Sequence, residues 1–252
     1  MVKVFSLLSF SKPRSYPNQK PRHHHTEPLF FLWVTFAGIL LFAGYLLYQK
    51  GIWASLISAD PTYLTALILF LFVCSTAWVG FRANTLTYEC EQFAIFENLL
   101  LTNPTAAKEW LSQASHSWAH DFFTGLRSKG AHWRESSQLI DLLGEKAAGP
   151  QEMAWWVNGT LLKLGLLGKV IGFSIMALQL GAMDSFDSGQ TSAVLKTLTG
   201  GLGIALLTTM TGLAANLLLG IQLMRLDRFA DYLTAKAIQI SEVDLKIIMG
   251  SE

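Results

Sequence analysis

The apolar positions of this chain are gathered into long runs instead of being spread along it. The first run covers Leu29 to Tyr48 and the second Tyr63 to Phe81, and neither contains Asp, Glu, Lys or Arg. About 20 such residues are what a helix needs to cross roughly 30 Å of hydrocarbon. Each run is flanked by Pro and by aromatic residues suited to the headgroup level, so the pair predicts a membrane hairpin. Two further runs lie later: Trp155 to Gly181, interrupted by Lys163 and Lys169, and Leu198 to Met224, which carries no charge. Between the pairs, Phe93, Phe96, Leu99 and Leu100, then Trp110, Leu111, Trp118 and Phe122, recur at helical and not alternating spacing. Breaks are predicted at Asn103-Pro104, around Gly130 and at Gly149-Pro150, where the residues are the usual helix punctuation. Beyond the fourth run, Leu226, Phe229, Leu233, Ala237 and Ile240 keep a helical stripe, so the last helix is expected to continue past the membrane.

Composition agrees with this pattern: 51% of the 252 residues are hydrophobic and 15% charged, too apolar a balance for an ordinary soluble domain of this size. Basic residues near span ends are retained on the cytoplasmic side. Lys3, Lys12, Arg14, Lys20 and Arg22 precede the first span, Arg82 follows the second, and Arg225 and Arg228 follow the fourth. Lys50 is the only basic residue of the loop from Gln49 to Thr62, and Lys196 the only one of the loop from Ala182 to Thr197, which also carries Asp184 and Asp187. Both termini are therefore predicted to be cytoplasmic, in a multi-pass protein of the plasma (bacterial inner) membrane. The fold class expected is all-α, with four transmembrane helices and a cytoplasmic helical domain. The divisions are a basic tail over 1–27, a hairpin over 28–82, the helical domain over 83–152, a membrane core over 153–228 and a cytoplasmic helix over 229–252. No cleavable signal peptide is expected, because the first apolar run follows a polar segment and no small-residue cleavage site comes after it. Cys74 sits inside a span and Cys90 just beyond it, which does not suit a structural disulfide. The net charge of +1 gives no sign of nucleic acid.

The polar and small residues of the last two spans are the candidates for chemistry. Gly165, Gly168 and Gly172 lie along the third span, and the four-residue spacing of the last two lets helices approach closely. In the fourth, Thr208 and Thr209 precede Gly212 and Asn216, and Thr209, Gly212 and Asn216 fall on one narrow stripe. Taken together, GLLGKVIGF and ALLTTMTGLAAN resemble the paired signature spans of the MotA/TolQ/ExbB proton-channel family, over roughly residues 155 to 228. The four-span order with a cytoplasmic insert resembles the MotA-type topology. The resemblance implies a ring, typically of five copies, around a single-span partner of the ExbD/TolR/MotB kind bearing a membrane aspartate. It implies coupling of proton-motive force to mechanical work, with Thr209 facing the pore. Thr208 and Asn216 are expected to line the ion path with it, and Lys169 to meet a carboxylate of a partner helix or to line a hydrated gap on that path. The sequence shows no convincing nucleophile, metal or cofactor constellation, so neither a cofactor nor an enzymatic reaction is expected.

Three positions depart from the family pattern. Lys169 stands where a small hydroxyl residue is usual, Ile204 where some members carry an acid, and the proline often found after the fourth-span motif is absent. A Lys near mid-bilayer costs about 2.5 to 3.5 kcal/mol on insertion scales, so it is expected to face protein or water. A fixed ring of such charges would repel cations, and the rival reading is a non-conducting scaffold or anchor ring of the same fold. His116 and His120, with Asp121, make at most half a metal site, since a structural zinc needs four ligands. They read as a solvated helix face, Lys163 as a snorkelling side chain near a span end, and His23 to His25 as part of the polar tail.

Overall fold

The computed structural model describes residues 29–60, 62–112, 116–129, 137–181 and 191–241. Seven helices account for them: α1 (Leu29–Gln49), α2 (Ile52–Ala59), α3 (Leu64–Thr102), α4 (Pro104–Trp110), α5 (Trp118–Lys129), α6 (Ser137–Gly181) and α7 (Thr191–Gln239). No strand occurs among the described residues. Helices α1, α3, α6 and α7 are each long and apolar enough to cross a membrane, which makes this a multi-pass membrane protein. The segment 1–27, Gly130, Asp184 and Asp187 lie outside the described residues, as do residues 242–252.

The helices do not stop where the apolar runs stop. At 1.5 Å per residue, the 39 residues of α3, 45 of α6 and 49 of α7 extend about 58, 67 and 73 Å. About 20 residues suffice to cross the hydrocarbon, so roughly half of each helix projects beyond it. The break expected at Gly149-Pro150 does not occur: Pro150 lies inside α6. Proline has no amide hydrogen, which leaves the carbonyl four residues earlier, that of Lys146, without its helical donor. Arg82 supplies the replacement, donating from Nη2 to the Lys146 carbonyl and, at 3.2 Å, to that of Ala147. Its guanidinium carbon sits 4.9 Å from the centre of the Trp118 ring, so one buried arginine joins α3, α5 and α6.

The break at Asn103-Pro104 does occur, and Asn103 ends α3 and caps α4, accepting from the Ala106 amide at 3.3 Å with Pro104 in the first turn. The projecting part of α3 packs an aromatic core against α4 and α5. Phe93, Phe96 and Phe123 are fully buried, with ring centres 4.1 Å apart for Phe96 and Phe123 and 5.0 Å for Phe96 and Trp110. Glu89, also buried, fixes the start of α5 by accepting from Ser117 Oγ at 2.7 Å and from the Ala119 amide at 3.2 Å. Lys236 of α7 pairs with Glu97 of α3 at 3.0 Å. His120 does not lie on a solvated face: it is buried 5.2 Å from the Trp110 ring centre, whereas His116 and Asp121 are exposed. The apolar residues spaced around it place the aromatic core on its side of α5.

At the other end of the membrane part, α2 occupies a stretch that the sequence presents as a loop. Gly51, at φ 69, makes the left-handed turn that starts it, and Trp53 Nε1 donates to the Gly44 carbonyl of α1 at 3.0 Å. Asp60 then closes the turn into α3, accepting from the Thr62 amide at 3.0 Å and the Thr65 amide at 2.6 Å. Helix α1 is attached near one end. Trp33 lies on Gly80 of α3 so closely that any Cβ there would enter its ring, and its Nε1 donates to the Thr76 carbonyl at 3.1 Å. Farther along, Leu41, Phe42 and Tyr45 are exposed.

Candidate functional site

The antiparallel α6/α7 pair is the tightest junction in the molecule, and small residues are the cause. A Cβ on Gly212 would stand 2.8 Å from Gly165 Cα and 2.9 Å from the Leu161 carbonyl, both backbone atoms. One on Gly172 would stand 2.8 Å from the Ala205 amide nitrogen, and one on Gly168 would collide with the Thr208 side chain. The seam thus runs Asn158, Leu161, Gly165, Gly168 and Gly172 on α6 against Leu219, Gly212, Thr208, Ala205 and Gly201 on α7. Small side chains let backbones meet without a hydrophobic driving force, which lipid does not provide.

The hydroxyls and amides of the fourth span are distributed unequally about this seam. Thr208 is fully buried inside it and donates to the Ile204 carbonyl at 2.8 Å. Thr209 is half-buried and shares its proton between the Ala205 carbonyl at 2.7 Å and the Gly165 carbonyl of α6 at 3.2 Å. Asn216, two turns further on, donates from Nδ2 to the Asn158 carbonyl at 2.8 Å. Two of these side chains therefore cross from α7 to the α6 backbone. The Asn158 side-chain oxygen is buried with no hydrogen-bond partner.

The hairpin has a covered side and an open side. At 100° per residue, Ile204, Thr211 and Gln222 lie on one flank of α7, and this flank meets α3: buried Gln222 donates to Thr76 Oγ1 at 3.3 Å. On the opposite flank, Leu206 and Leu213 of α7 and Leu166 and Val170 of α6 are exposed. Thr209 and Asn216 sit at the inner margin of that open flank, and Lys169 is exposed on it, its Nζ 6.0 Å from the Phe173 ring centre. The structure thus brings Thr209, Asn216 and Lys169 to one side of the hairpin and keeps Thr208 in the seam.

Sequence reasoning does not single out Gln222 and Asn158, although an amide inside an apolar run is a readable sign of a side chain that must find protein. Lys163 is exposed on α6. No cluster of three or more metal-ligating side chains occurs among the described residues. What the open flank offers is hydroxyl and amide dipoles plus one cation, which suits hydrating or holding an ion and not covalent chemistry. Compared with protein-family models, curated proteins and solved structures, the chain matches none. The resemblance to the MotA/TolQ/ExbB family therefore rests on the residues of α6 and α7 themselves.

Proposed function

We propose that this chain is a ring-forming subunit of a MotA/TolQ/ExbB-like proton-driven motor, assembling as a pentamer around a single-span partner and coupling proton-motive force to mechanical work. The observation that carries the reading is the asymmetry of the α6/α7 hairpin: sealed by glycine, backed by α3 on one flank, and open on the flank where Thr209, Asn216 and Lys169 lie. In a ring, the open flanks would face the central helix and the α1/α3 layer would face lipid. The basic residues at the span ends support an inner-membrane subunit with cytoplasmic termini, the projecting parts of α3, α6 and α7 then forming the cytoplasmic domain. Thr209 and Asn216 would line the ion path, whereas Thr208 would serve by holding the seam.

The test is proton flux through the complex with its membrane partner, reconstituted in vesicles. Thr209→Val should lower flux at least about tenfold with assembly unchanged, and Thr209→Ser, which keeps the hydroxyl, should restore most of it. Equal flux in the Val variant would remove Thr209 from the mechanism. A second reading, the non-conducting scaffold ring, is favoured by one observation: Lys169 sets a fixed positive charge on the same flank. On that reading the wild-type complex passes no protons above vesicle leak, while Lys169→Thr conducts.

A further inference from the structure

The polar stripe of α7 does not end with its apolar run. At 100° per residue, Thr209, Asn216, Gly220, Asp227 and Asp231 lie within about 60° of one another around the helix. Thr209 and Asp227 are five whole turns apart, about 27 Å, so they share a face. Asp227 is the first acid on α7, just beyond Met224, where the apolar run stops. Trp155 of α6 donates from Nε1 to Asp227 Oδ2 at 2.8 Å, which fastens this half-buried carboxylate to the edge of the α6/α7 pair. No cation neutralises it: Asp227 makes no ion pair among the described residues, and Arg225 and Arg228 leave α7 about 160° and 100° away from it. Asp231, one turn further on and exposed, is the other charge on the stripe. Nearer mid-membrane, one turn past Asn216, the stripe carries no side chain at Gly220, where a Cβ would stand 3.4 Å from Asn158 Nδ2. Asn158 is 6% exposed, and its side-chain oxygen has no hydrogen-bond partner. A buried acceptor of this kind, beside a hydroxyl and amide stripe, suits a donor that comes and goes, such as water or hydronium.

We infer that Asp227 is the proton-release residue of this chain: it takes the proton that arrives at the level of Asn216 and Asn158 and passes it to water on the side where α6 and α7 project, while the Trp155 indole holds the carboxylate in line. Gly220 and Asp227 are seven residues apart on the same face, about 10 Å, which about three hydrogen-bonded waters span. The step balances without a further reactant. An O–H bond of hydronium breaks as one forms on the Asp227 carboxylate, leaving neutral water; that new bond then breaks to a water on the aqueous side, and the carboxylate is restored. Asp231 cannot take this place, because it stands a turn beyond, already exposed, with Asp227 between it and the stripe. The inference rests on the proton-driven reading and adds the exit that such a path requires.

The measurement is proton flux through the complex with its membrane partner, in vesicles that hold a pH-sensitive dye. Asp227→Asn, which keeps the shape and still accepts from Trp155, should lower flux at least about tenfold, and Asp227→Glu should keep most of it. Asp227→Ala should be as slow as the Asn variant and should recover several-fold when formate, a small diffusible carboxylate, is supplied on the side that Asp227 faces. A merely structural role for Asp227 gives no such recovery. Thr209→Val, blocked higher on the path, should stay slow in formate, which excludes a leak carried by formic acid itself. Wild-type flux in Asp227→Asn, or a loss in Asp227→Ala that formate leaves untouched, overturns the inference. A slow Thr209→Val beside a fast Asp227→Asn would keep the motor and discard only the release residue, whereas a wild-type complex that passes no protons would discard both.

Discussion

At the scale of single residues, the glycines of the membrane part divide by what a methyl group would meet. Gly212 faces the Gly165 and Leu161 backbones, so a Cβ must push the two helices apart, and overpacking of this kind costs about 1 to 3 kcal/mol. Gly203, on the same helix, has open space where a methyl group would stand, with nothing within 4 Å, so alanine there only gains helix propensity. Gly212→Ala should therefore lower the melting temperature in detergent while Gly203→Ala leaves it equal or higher, and equal loss in both would refute the seam. Asp60 gives a second residue-scale test. Burial pushes its carboxyl up, but the hydrogen bonds from Thr62 and Thr65 together push further down, and the net result lies below the ordinary carboxylate value. A folded pKa below the unfolded one means stability that is present above the unfolded value and lost as pH falls through the folded one. Asp60→Asn should cost about 1 kcal/mol at neutral pH, with the two melting curves converging in acid, where wild type too is protonated.

Among the elements, α6 is the most instructive, because it keeps its course through a proline. Arg82 and Pro150 are coupled through the Lys146 carbonyl. Removing the arginine leaves that part-buried oxygen without a donor, whereas Pro150→Ala restores a helical amide to it. Arg82→Leu should destabilise by about 2 kcal/mol alone and by clearly less in a Pro150→Ala background. Strict additivity in that double-mutant cycle, measured by thermal unfolding, would mean the carbonyl is not the link. This junction also marks where sequence reading reaches its limit. The four apolar runs and the Asn103-Pro104 break are legible because hydropathy and capping chemistry are local. The continuation of α6 is not, because the donor that rescues Pro150 is Arg82, far away in the chain. Helix α2 escapes for another reason: eight residues beside a left-handed glycine are too few for a periodic signal. Of the site, the glycine and threonine positions are visible as residues, but which threonine enters the seam depends on the helix pairing. Thr208 and Thr209 are neighbours in sequence and about 100° apart around the helix.

Considered as a whole molecule, the chain covers one flank of the α6/α7 hairpin with α3 and leaves the other open, so an isolated copy exposes Lys169 beside the apolar side chains of that flank. Native mass spectrometry of the complex extracted in mild detergent should give five copies of this chain with a second, single-span protein. A monomer with no companion at any detergent concentration would refute both the ring and its central helix. The lipid side is less demanding, since α1 is fastened mainly by Trp33 against Gly80. Trimming Trp33 to Ala should release α1 to proteolysis without loosening the α6/α7 pair.

The unbroken length of α6 and α7 has a mechanical consequence. From Lys169 back to Ser137 is about 48 Å of continuous helix, stiffened by the Arg82 tie where proline would otherwise have let it bend. A lean of about 5° imposed at the height of the cation would therefore carry the far tip sideways by about 4 Å, simple leverage on a rigid rod. A load applied at that height would be felt, amplified, at the aromatic end of the bundle.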